Sequence, residues 1–170
     1  MAHSVTDGTV FDIKTVIKFL KVYVQDTFTP AEFVVSGLSL GGHVAWDVLA
    51  SERTVNAAIP IVGSPNLTDM LVERLSNSNN GNPVDPTKWP ESVARMYQAR
   101  DQNVAQIEGK KILILNGALD ALVPSKFTLP WVEKYGDRND VTLCVLENTG
   151  HWMSLEMIDK IVGWVLENIV

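Results

Sequence analysis

The stretch "FVVSGLSLGGHVAWDVLA", Phe33 to Ala50, decides how this chain is read. An apolar run breaks at Gly37-Leu38-Ser39-Leu40-Gly41 and at once resumes with Val44, Val48 and Leu49 at helical spacing. The run before the break is short and almost wholly apolar, as in strands buried on both faces. The pattern G-x-S-x-G arises by chance in about 5 of every hundred chains of this length, so alone it decides little. Its setting says more. A strand that turns this sharply into a helix holds the central residue in a strained conformation, and the glycines leave room for neighbouring backbone. Ser39 then stands at the carboxyl edge of a sheet, with the Leu40 N–H aimed at a developing oxyanion and the helix N-terminus favouring negative charge there.

Working outward, "VFDIKTVIKFLKVYV" (Val10 to Val24) places Ile13, Ile17, Leu20 and Val24 on one stripe of an amphipathic helix. "VNAAIPIVGS" reads as a strand with an end or bulge at Pro60. "KKILILNG" is the clearest strand; "PSKFTLPWVEKYG" follows as a short helix interrupted by Pro130, and "DVTLCVLEN" is a fourth strand. "MSLEMIDKIVGWVLENIV" is a helix whose apolar face is Ile158, Ile161, Val162, Val165 and Ile169. Strands alternating with helices predict an α/β fold with a parallel sheet of about four strands. Between Gly63 and Gly109 the pattern weakens: "LSNSNNGNPVDPTKWP" is a loop, and "PESVARMYQARD" a helix with Pro90 in its first turn. We expect one domain over residues 1–170, with 64–109 as a cap or excursion over the site.

A serine hydroxyl is a weak nucleophile at neutral pH and needs a base, which in turn needs an orienting acid. His3 lies in a terminus expected to fray, and His43, on the same helix as Ser39, reads as a structural residue. His151, in "ENTGHWM" just after the last strand, is the candidate base. Asp120, in "NGALDALVP" after the third strand, is the candidate acid, with Asp69 and Glu147 as alternatives; a turn or helix cap would also suit an aspartate there. The order Ser39, Asp120, His151, each after a different strand of one parallel sheet, is the order of the α/β-hydrolases.

With "GLSLGG", "GALDALVP" and "NTGHWM" in that order, the chain resembles the α/β-hydrolase superfamily, in its serine esterase and prolyl-oligopeptidase-like branch. The resemblance implies the C-terminal part of that fold, acyl transfer through a serine ester, and no metal or organic cofactor. In the family the nucleophile follows the fifth of eight strands, whereas here it follows the first. The loop after the family's third strand, which supplies a second oxyanion donor, has no counterpart, and no HGG-type motif occurs. The isolated chain is therefore expected to be a weak catalyst. Trp89, Met96, Tyr97 and Trp152 are candidate pocket residues, although the aromatic side chains would equally serve to pack on the core.

Net charge is −6 and no basic cluster occurs, which argues against nucleic acid or an acidic membrane surface as partner. Cys144, the single cysteine, forms no internal disulfide and reads as an inert core thiol. With no basic-then-apolar leader and no long apolar run, the expected location is the cytoplasm. The partners expected are a small ester or acyl substrate and, through an uncovered edge at Phe33–Gly37, a second copy or another chain. Two further readings stand beside hydrolysis: a non-catalytic module binding a partner through that edge, and a non-hydrolytic enzyme that reuses the serine turn.

Overall fold

The computed structural model describes residues 2–25 and 27–170, with side chains from residue 5 onward. Six helices, α1 (Ala2–Tyr23), α2 (Leu40–Ser51), α3 (Leu67–Ser78), α4 (Glu91–Val104), α5 (Leu129–Tyr135) and α6 (Leu155–Asn168), accompany four strands, β1 (Phe33–Leu38), β2 (Val55–Ile61), β3 (Lys111–Gly117) and β4 (Asp140–Leu146). All strand pairs are parallel, and the strand order is the chain order, β1-β2-β3-β4. The expected α/β class and four-strand parallel sheet are what the chain forms.

Alternation along the strands divides the core. Val35, Val55, Ala58, Ile112 and Ile114 face α2, whose Val44, Ala45, Trp46, Val48 and Leu49 are buried, while Val10, Ile13 and Ile17 of α1 close the same layer. Ala57, Ile59, Ile61, Leu113 and Leu115 face the opposite way, against Met157, Ile161, Trp164 and Val165 of α6 and Ile169 just after it. Leu67, Met70, Tyr97, Val123 and Phe127 form a third, smaller cluster.

Several local expectations are corrected. The first helix begins at Ala2 and takes in the segment expected to fray, although the side chain of His3 lies outside the described residues. Of the end or bulge expected at Pro60, the strand has the end, one residue later at Ile61, and no bulge against β1, where Pro60 sits opposite Gly37; its missing donor coincides with the skip at Ile59 and Pro60 in the pairing of β2 with β3. Pro130 starts α5 at the second helical position instead of interrupting it, since the first turn needs no N–H there. The segment expected as loop from Leu75 is helical to Ser78, in α3, which Asn66 caps by accepting from the Asp69 N–H. Helix α6 is rotated from the expected face: Met157 and Trp164 are buried, whereas Ile158 and Val162 are 41% and 53% exposed. Cys144 is half-buried on β4. Among the described residues no helix is long and apolar enough to cross a membrane.

Candidate active site

Parallel strands put the ends of β1, β2, β3 and β4 on one rim, and Ser39, Asp120 and His151 follow β1, β3 and β4 there. Ser39 has φ 56° and ψ −111°, a left-handed conformation rare outside glycine, and its N–H donates to the Ile61 carbonyl at 2.9 Å. The turn closes because side chains are absent around it. A Cβ on Gly37 would lie 2.2 Å from the Gly41 oxygen, and one on Gly63 would lie 2.4 Å from the Gly42 carbonyl carbon. Val62, also at positive φ (43°), bends β2 so that Gly63 meets Gly42.

Ser39 Oγ is 2.7 Å from His151 Nε2, and His151 Nδ1 is 2.8 Å from Asp120 Oδ2. Asp120 is 4% exposed, and its other oxygen, Oδ1, accepts from the Leu122 and Val123 N–H groups, both at 2.8 Å. That pair of bonds fixes the carboxylate while leaving Oδ2 for the imidazole. The loop bearing Asp120 is locked to the one bearing His151 by the Leu119 N–H on the Thr149 carbonyl at 2.9 Å, and Gly117 admits the close approach. Neither alternative acid reaches His151: the Asp69 carboxylate accepts from the Asn66 amide at 2.6 Å within the α3 cap, and Glu147 is exposed.

Ser39 and His151 open on a cavity of about 230 Å3. Its apolar wall is Leu40, Leu67, Met70, Leu71, Leu122 and Val123, and its polar lining includes Thr6, His43, Arg74 and Tyr97. Of the expected pocket residues, Tyr97 lines the cavity and Trp89 stacks behind it with ring centroids 5.4 Å apart. Met96 lines a separate hollow beside Asp47 and Arg100, and Trp152 is 52% exposed, its ring lying on Gly150. The wall that sequence reasoning missed comes from α3, where Leu67, Met70 and Leu71 carry the i, i+3, i+4 signature of a helix.

His43, expected as a structural residue, is held in the core beside the cavity. It is buried, and its Nδ1 accepts from the Ser64 N–H at 2.9 Å. Burial, and then the nearby Arg100 guanidinium, lower its pKa from 6.5 to about 4. Arg100 is itself buried and tied to Asp47 (2.5 Å), Asp101 (3.0 Å) and the Pro65 carbonyl (2.5 Å). Asp101 in turn accepts from the Leu67 and Thr68 N–H groups at the start of α3. One cation thus pins α4 to α2 and to the helix that walls the cavity.

No family model matches the sequence, and no curated protein matches it. In three dimensions the chain is similar to esterases. Against the esterase Pf2001 of Pyrococcus furiosus the TM-score is 0.67 at 18% identity, over 93% of this chain and 60% of that one. For Est1E of Butyrivibrio proteoclasticus the values are 0.65 and 22%, over 94% and 70%. For acetyl xylan esterase 1 of Thermoanaerobacterium sp. JW/SL YS485 they are 0.60 and 16%, over 81% and 45%. The chain therefore carries part of an α/β-hydrolase-like fold, and it spans about 60% of the length of the Pyrococcus esterase.

Proposed function

We propose that this chain, folded as part of an α/β-hydrolase, is a serine hydrolase that cleaves a carboxylic ester through an acyl-enzyme. The observation that carries the reading is the line of contacts from Ser39 Oγ to His151 Nε2 (2.7 Å) and from His151 Nδ1 to Asp120 Oδ2 (2.8 Å), at the mouth of an apolar cavity. Ser39 Oγ adds to the ester carbonyl while His151 Nε2 takes its proton, and Asp120 holds the resulting imidazolium. The oxyanion faces the Leu40 N–H at the start of α2, where the first turn leaves backbone donors unpaired. Collapse breaks the bond to the alkoxy group, which leaves as the alcohol with the proton from His151. Water then adds to the acyl-serine, giving its proton to His151, and the carboxylic acid departs as Ser39 is restored. The esterase neighbours, one of them with ferulic acid bound, support an ester as the substrate class.

The test is covalent labelling with a fluorophosphonate followed by peptide mass spectrometry. The expected result is one adduct, on Ser39, that disappears in Ser39→Ala; absence of an adduct in folded protein would overturn the reading. A partner-binding module is the second reading, favoured by the unpaired outer side of β1 and by the exposed Val34 and Leu38 upon it. It takes over if labelling fails.

A further inference from the structure

Four residues after Ser39, and so one turn along the same face of α2, His43 lines the same cavity. Its two ring nitrogens differ. Nδ1 is taken up as an acceptor by the Ser64 N–H at 2.9 Å, so a neutral ring carries its hydrogen on Nε2. The ring is neutral because burial and the Arg100 guanidinium lower its pKa to about 4. Nε2 has no acceptor among the described residues, yet it is not one of the sealed polar atoms without a partner, which are Thr68 Oγ1, Asn116 Nδ2 and Oδ1, and Thr128 Oγ1. It opens on the cavity, whose described lining residues include no carboxylate.

A fixed, neutral N–H donor in an apolar cavity, with no acceptor among the described residues, is completed by an acceptor on the ligand. We propose that His43 is a specificity-determining residue whose Nε2–H donates to an oxygen in the acyl chain of the ester, so that the cavity selects an oxygen-bearing acyl group over a plain hydrocarbon of equal length. This rests on the hydrolase reading above and adds the acyl class to it. Discrimination of this kind is strong because the hydrocarbon leaves the donor unpaired, while the oxygenated chain satisfies it.

The experiment compares p-nitrophenyl pentanoate with two analogues in which one methylene is oxygen, the 3-methoxypropanoate and the ethoxyacetate, each kcat/KM divided by the rate constant for hydroxide hydrolysis of the same ester. At least one oxygen analogue should be favoured by about tenfold in the native chain, the worth of one hydrogen bond, and His43→Phe should bring that ratio to about one. His43→Gln, which keeps a donor, should retain part of it. A native chain that favours neither analogue, or a His43→Phe chain that keeps the preference, overturns the proposal. A second measurement needs no turnover and no change at His43: in 15N-labelled Ser39→Ala protein, the His43 Nε2 resonance should shift on adding the favoured oxygen analogue and stay in place with pentanoate. That shift without turnover in the native chain would sink the hydrolase reading alone, and turnover with no shift would sink this one.

Discussion

Ser39, His151 and Asp120 are joined end to end by two short contacts, so their contributions to catalysis should not add. Ser39→Ala and His151→Ala should each remove nearly all turnover of a small activated ester, and the double variant should lose little more, as steady-state kinetics on the three proteins will report. Additive losses would mean that the residues do not act as one unit. His43 gives a prediction of a different kind. Its pKa in the folded chain is about 4 against 6.5 ordinarily, so as pH falls the unfolded chain takes up the proton first. The stability that the neutral ring secures is complete above about pH 6.5 and is lost progressively towards pH 4, by about 3 kcal/mol in all. Urea unfolding at pH 7, 5.5 and 4.5 checks this: the native chain should lose more stability on acidification than His43→Gln, and parallel losses would refute the assignment.

At the scale of the elements, the approach of α2 to the end of β2 turns on two neighbouring glycines with opposite surroundings. A Cβ on Gly42 would lie 2.7 Å from the Ile61 oxygen, whereas one on Gly41 meets nothing within 4 Å. Gly42→Ala should therefore destabilise the fold by about 3 kcal/mol or more, while Gly41→Ala, in a helix where alanine is the better former, should change stability by less than about 1 kcal/mol in thermal unfolding. This contrast was not legible in "GLSLGG", where the glycines look alike. The strands and the serine turn were legible because buried parallel strands are continuous apolar runs, and a tight turn leaves its glycines in view. The orientation of α6 was not, because Ile158, Val162 and Leu166 make an exposed stripe as apolar as the buried one beside it, and periodicity cannot rank two such faces. No helix is expected from sequence over residues 67–78, where periodicity is weak and the last turn, Ser76-Asn77-Ser78, has the composition of a loop. Without α3, the candidate pocket residues Trp89, Met96, Tyr97 and Trp152 include one that lines the cavity, Tyr97, and omit Leu67, Met70 and Leu71 of its wall. His43, expected as a structural residue, is buried and also lines the cavity, since it stands one helical turn from Ser39, the spacing that puts two residues on one face.

Across the whole molecule, α6 covers β2, β3 and β4 on its face of the sheet, and Val34 and Leu38 of β1 remain 38% and 45% exposed. On α6, Ile158, Val162 and Leu166 form an exposed apolar stripe as well. Unpaired strand edges flanked by apolar side chains recruit another strand or chain. Light scattering should accordingly give a mass above the 18.8 kDa of one chain, and Val34→Lys or Val162→Glu should move it towards that value. A native chain that stays at 18.8 kDa when concentrated would count against an interface here. The strand order bears on synthesis as well. Because it equals the chain order for the described strands, β2, β3 and β4 each pair with a strand made before them, so this part of the sheet can form in the direction of translation. The three residues in contact are made in the same sequence, Ser39 first and His151 last. A nascent chain halted after Leu146 holds β1 to β4 but not His151, so these four strands can pair before the contact between Ser39 and His151 can form.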